Sequence, residues 1–133
     1  MFIIILNIQV IRNGLQLVNI RYGNFDFYFP EFRDFDLSSA FFDVLNSISE
    51  TCIGAFIKYI RFQNFAFHFY KDTSASNLLF VIITDSNFDP DEIRFQLKKI
   101  ASVYNEKFSI NLSQFNGNVY QFQNFREYLI AIT

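Results

Sequence analysis

The chain has one cysteine, one histidine, one methionine, two prolines, four glycines and no tryptophan in 133 residues. Each scarcity removes a class of chemistry. With Cys52 alone, neither an internal disulfide nor a cysteine metal cluster can form, and a reducing, cytoplasmic setting is the expectation. With His68 the sole histidine, a transition-metal centre lacks its usual second imidazole. Gly14, Gly23, Gly54 and Gly117 are scattered, so no loop is built to cradle a phosphate. No glycine-framed nucleophile surrounds Ser38 or Ser39. Charge is sparse as well: 11 Lys and Arg stand against 13 Asp and Glu. The net charge of −2 with dispersed cations leaves no footprint for nucleic acid or an anionic membrane. No apolar run reaches the roughly 20 residues of a spanning helix. The opening run Met1–Leu6 has no basic start or small-residue cleavage site, and Asn7 and Gln9 follow it. It reads as a buried strand of a soluble protein.

What the chain has in quantity is aromatic carbon: 20 Phe and 7 Tyr, within a composition that is 51% apolar. Phe, Ile, Asn, Tyr and Lys share A/T-rich codons, so nucleotide bias is the simpler source of this excess. A chain of this size buries roughly two-thirds of its unfolded surface and supports its own core. Residues 1–133 read as a single domain.

The central stretch is Leu78-Leu79-Phe80-Val81-Ile82-Ile83-Thr84-Asp85. A short apolar run with no polar face fits a strand covered on both sides. Phe2–Ile11, rich in β-branched residues, reads as a first strand. Asn13-Gly14 predicts a tight hairpin turn into a second strand, Leu15–Tyr22, whose alternation is only partial. Residues 23–35 read as an ordered loop with Phe25, Phe27, Phe29 and Phe32 packed onto the domain. Asp34 and Asp36 are N-cap candidates for a helix ending at Gly54. On that helix Leu37, Phe41, Val44, Leu45 and Ile48 form one apolar stripe, expected to face the core, with Phe42 off it. Ala55–Phe62 and Phe65–Lys71 predict a second hairpin, with Lys58 and Arg61 marking its outer strand as an edge. Asp89, Pro90 and Glu92 signal a helix start with a capping box. Ile93, Leu97, Ile100, Tyr104 and Phe108 then make a second stripe. Ser109–Asn118 reads as a linker, and Val119–Ile132 as a final helix.

Two hairpins make the sheet antiparallel, and the two most apolar strands should be neighbours. The expected fold is α+β, a three-layer α/β/α arrangement. Its five-stranded antiparallel sheet has order 2-1-5-4-3, with one helix on one face and two on the other.

With that order in place, the chain resembles a longin-like domain, the fold of trafficking longins and adaptor small chains. The residues that carry the likeness are the hairpin Ile3–Tyr22, the run Phe56–Tyr70, Leu79–Asp85 and the helix ending Tyr104-Asn105-Glu106-Lys107-Phe108. The phrase Asp36-Leu37-Ser38-Ser39-Ala40-Phe41-Phe42 is similar to small longin-type proteins of Asgard archaea. The resemblance implies membrane-trafficking-like machinery, or regulation of or a platform for a small GTPase. It also implies pairing with a like chain, as a homodimer or heterodimer. Profilin and PAS-type domains share the sheet order, so a small-ligand- or actin-binding module is the alternative.

No residue pattern announces catalysis, so the expectation is no enzyme, no cofactor and no metal. His68, mid-strand between two Phe, reads as a packed residue. Asp85, Asp89, Asp91 and Glu92 gather near the end of the central strand. Acid–base work or a hard cation is conceivable there, but caps and turns explain them more simply. Surface remains. An edge strand offers unpaired backbone groups, and clustered exposed aromatics mark partner sites. The expected interface is Phe42 together with Phe56, Lys58, Tyr59, Ile60 and Arg61.

Overall fold

A computed structural model describes residues 4–23, 25–29, 35–72, 77–114, 122 and 125. Asn13 and Gly14 both take positive φ, 51° and 80°, the pair of angles a tight hairpin turn requires. They join β1 (Ile5–Arg12) to β2 (Leu15–Arg21). A four-residue helical turn, α1 (Phe25–Tyr28), follows where a loop was expected. The long helix α2 spans Phe35–Ile53. It stops at Gly54, whose φ of 80° and N–H bond to the Glu50 carbonyl form a left-handed cap. Then come β3 (Tyr59–Arg61), β4 (Phe65–Asp72), β5 (Leu78–Asp85) and α3 (Pro90–Ser113).

The strands form one antiparallel sheet of order β2-β1-β5-β4-β3, as the two hairpins and the two apolar strands predict. β5 is its centre, and its residues divide by parity between two cores. Leu78, Phe80 and Ile82 pack with Ile8, Val10 and Ala66 beneath the α3 stripe. Leu79, Val81 and Ile83 pack with Leu6, Ile11 and Phe69 together with Phe25 of α1 and Phe42 of α2. The period-2 alternation of a strand is what feeds both. Each such fully buried aliphatic side chain contributes about 2 kcal/mol.

The partial alternation of β2 has a cause. Val10 pairs with Val18 but Ile11 with Gln16, so Leu17 is an extra residue in a bulge. Leu17 and Val18 therefore reach the same core.

The α3 stripe is as expected: Ile93, Leu97, Ile100, Tyr104 and Phe108 are all buried. The Asp91 N–H donates to Asp89 Oδ1 at 3.0 Å, so Asp89 is the cap. Glu92 accepts from Gln96 Nε2 at 3.1 Å. The helix runs past Phe108 into the expected linker. Leu112 adds a buried turn, and Arg12 Nη1 donates to the Leu112 carbonyl of the last turn at 2.9 Å. That cap comes from β1, a hundred residues away, so no local signal could show it. Phe122 and Phe125 are buried against Tyr104 and Phe108. The rest of the expected final helix lies outside the described residues, as do Phe32, Asp34 and the side chains of Phe27 and Leu37.

β3 is shorter than the expected strand over 55–62. The Lys58 carbonyl still accepts from Phe69 N–H, but Ser49 Oγ donates to the Ala55 carbonyl at 2.6 Å. That bond ties the chain at 55 to the helix and takes it off the edge.

Helix α2 overturns one expectation. Its buried residues are Ser39, Phe42, Asn46 and Ser49. Three residues of the stripe expected to face the core point outward, Phe41 56% exposed, Val44 55% and Ile48 54%, against 2% for Phe42, while Leu45 is half-buried. The sheet beneath explains it. Asn7 and Gln9 face this side of β1 and are fully buried. Ser39 Oγ donates to Gln9 Oε1 at 3.0 Å, and Gln16 Nε2 to Ser39 Oγ at 2.8 Å. Gln9 Nε2 donates to Asn7 Oδ1, and Asn7 Nδ2 to Asn19 Oδ1 and the Ile20 carbonyl. Turning Val44 and Ile48 onto them would take away the Ser39 hydroxyl and leave Gln9 Oε1 only the direct 3.3 Å bond from Gln16 Nε2, a loss of about 1 kcal/mol.

Candidate functional site

The residues expected to form an interface do not share one surface. Phe42 is a core residue, with its ring edge-on to Phe67 at 5.1 Å and to Phe69 at 5.6 Å. Tyr59 and Arg61 are exposed on the outer strand, Ile60 is half-buried, and Phe56 and Lys58 are exposed ahead of it. The Phe62 N–H bonds the Phe65 carbonyl, and the Lys58 carbonyl bonds Phe69 N–H, so these even-numbered residues turn their backbone inward. By alternation, Tyr59 and Arg61 turn theirs to the open edge. Two residues of free strand edge are thus available for pairing.

The side chains of Tyr59 and Arg61 lie on the α3 side. The Arg61 guanidinium sits 4.3 Å above the Phe88 ring, and Tyr59 meets Phe88 edge-on at 5.4 Å. Phe88 in turn stands perpendicular to His68 at 4.4 Å. His68 Nε2 is 2.9 Å from Thr84 Oγ1. The single Thr84 hydroxyl proton goes to the Asp85 carbonyl at 2.7 Å. The oxygen therefore accepts, and the neutral imidazole carries its proton on Nε2. Burial, helped by the nearby Arg61 charge, lowers the His68 pKa to about 4. The buried imidazole, bonded to Thr84 and packed on Phe88, ties β4 to β5 and to the turn before α3.

Two depressions lie nearby. One, about 210 Å³, runs between β3 and the start of α3 and is lined by Lys58, Tyr59, His68, Asp91, Arg94 and Leu97. Arg94 is already engaged, donating to the Phe69 carbonyl and lying 4.9 Å over Tyr70. The other, about 510 Å³, is a polar surface hollow beside Tyr28, Asn64, Asp85 and Ser86. Neither is the enclosed apolar chamber that small-ligand modules use. The acidic residues gathered there serve turns: Asp85 accepts from the Asn87 N–H and Asp89 from the Asp91 N–H.

The feature missed in the sequence is the outward side of α2. Phe41, Val44 and Ile48 stand on it, with the exposed Cys52 and Ile53 beyond. The signal was present as a mismatch. Asn7 and Gln9 share a parity on a buried strand, and Ser39, Asn46 and Ser49 share a helical face, of which Ser39 bonds the sheet amides.

A ring path joins this side of α2 to the outer hairpin. Phe41 lies 5.9 Å from Phe42, Phe42 5.1 Å from Phe67, and Phe67 5.2 Å from the exposed Phe62. The arrangement is suited to burying apolar surface against another protein. Among the described residues, no helix is long and apolar enough to cross a membrane.

No protein-family model matches the chain, and no curated protein does.

Proposed function

We propose that this chain is a non-enzymatic protein–protein interaction module of longin-like, three-layer architecture. It works in membrane-trafficking-like machinery, or as a regulator of or platform for a small GTPase, together with a second copy or a related chain. The strand order and a core divided between the two sides of the sheet support the architecture. The observation that carries the function is α2, a helix buried on its polar side and bare on its apolar one. Soluble monomers seldom leave a contiguous apolar patch open without a partner for it. The aromatic packing of both cores and the small cleft beside His68 favour this over a profilin- or PAS-type ligand binder.

The test is sizing by light scattering, followed by capture with small GTPases in each nucleotide state. A mass above one chain, or nucleotide-dependent capture, supports the reading. A strict monomer that captures no GTPase and no longin-like chain removes it.

A further inference from the structure

We infer that the cleft between β3 and the start of α3 is a binding site for a small zwitterion, an α-amino acid with an apolar side chain. The inference goes beyond the interaction role and does not depend on it.

The cleft is walled by a buried acceptor whose capacity is unused. His68 is 2% exposed, and its Nε2 is committed to Thr84 on β5. Nδ1 lies on the other side of the imidazole from the Cδ2–Nε2 edge, so it is turned away from β5. It has no partner among the described residues and is not sealed from solvent. The surface that His68 offers is a wall of this cleft. With the proton on Nε2, Nδ1 can only accept. The group that answers it must be a donor.

Around that acceptor the lining carries both signs of charge. Asp91 and Arg94 are three residues apart on α3 and share a face, with Cβ atoms about 5–6 Å apart. Lys58 lines the cleft from the β3 side. Among the described residues, neither Asp91 nor Lys58 enters an ion pair. The helix cap uses the Asp91 N–H and not its carboxylate. Arg94 donates Nη1 to the Phe69 carbonyl and keeps further N–H groups. One acid and two bases, left unpaired around one cleft, suit a ligand that carries both signs. Its ammonium donates to His68 Nδ1 and the Asp91 carboxylate, and its carboxylate accepts from Lys58 and Arg94. A plain cation would meet the two bases and a plain anion would meet Asp91, so each is disfavoured. The remaining lining is apolar: Ile93 and Leu97 are buried, and the Tyr59 ring stands on the β3 side. The volume, about 210 Å³, is below the roughly 300–1,000 Å³ of a drug-sized ligand's pocket, which limits the occupant to a small molecule.

The probe is free L-leucine, titrated into the full chain. The reading is the imidazole nitrogen resonances of His68, the one histidine in the sequence. The expected result is a saturable shift of the Nδ1 resonance. Isocaproate lacks the ammonium and isoamylamine lacks the carboxylate, and each should bind about tenfold more weakly than leucine. Asp91→Asn should weaken leucine by about tenfold and Lys58→Ala by about threefold. Both positions are exposed, so far-ultraviolet dichroism should be unchanged. The absence of a saturable shift overturns the site. So does either analogue binding as tightly as leucine, or leucine binding that neither substitution weakens. Sizing and GTPase capture test the interaction role separately, so the two readings can fail independently.

Discussion

Phe42 and Val44 lie two residues apart on α2 and face opposite ways: the Phe42 ring is wedged edge-on against Phe67 and Phe69, while Val44 stands more than half in solvent. Phe42→Ala should therefore cost about 3–5 kcal/mol of stability through lost transfer energy and an unfilled cavity. Val44→Ala should stay within about 0.5 kcal/mol in the isolated chain. Urea unfolding at a concentration where the chain is monomeric separates the two. Equal costs would place the helix in the orientation its apolar stripe suggested.

The amides beneath α2 make a second, independent check. Ser39→Ala removes the hydroxyl that links Gln9 to Gln16. Gln16 Nε2 still reaches Gln9 Oε1 directly at 3.3 Å, so only the hydroxyl's own bonds are lost, at about 1 kcal/mol. Far less than that would mean the network does not hold the helix. The reading is the shift in urea midpoint at constant slope.

His68 makes stability depend on pH. Its folded-state pKa, about 4, lies below the ordinary 6.5. The unfolded chain therefore takes up this proton first as pH falls. Stability from this residue is complete above pH 6.5 and is lost between 6.5 and 4, reaching roughly 2 kcal/mol at pH 5. His68→Gln should flatten that segment of the profile while leaving the carboxylate-driven loss at lower pH. A profile unchanged by the substitution would show that the imidazole titrates normally.

Tyr104 sits among Phe80, Phe108, Phe122 and Phe125. Its buried hydroxyl has no partner among the described residues. Burial raises its pKa above that of an ordinary phenol, with the Arg12 charge opposing. Tyr104→Phe removes a desolvated polar atom and keeps the ring packing, so it should leave stability unchanged or raise it by about 1 kcal/mol. A thermal midpoint several degrees lower would reveal a hydrogen bond to that oxygen.

Much of the fold was legible because its signals are local. Asn13-Gly14 announces its own turn, Asp89-Pro90 its own helix start, and the unbroken run 78–85 its own burial. The strand order followed from two hairpins and one preference, that of the most apolar strands for each other. The candidate site was not legible in the same way. Phe42 looked spare on a helical wheel and is in the core, whereas Phe41, Val44 and Ile48 looked like core and are bare. The wheel weighs hydrophobicity alone, and the sheet beneath α2 presents amides. Arg12 capping α3 and Ser49 drawing residue 55 off the edge are likewise contacts between segments that no window of sequence contains.

By itself the sequence determined the five strands, the existence of the two long helices and which strand lies in the middle, because propensity, turn geometry and period are properties of neighbouring residues. Only the tertiary structure decided which way α2 turns, and with it which surface is left for a partner. A helix with one polar and one apolar side can be buried either way round, and what settles it is whether the groups opposite can hydrogen-bond.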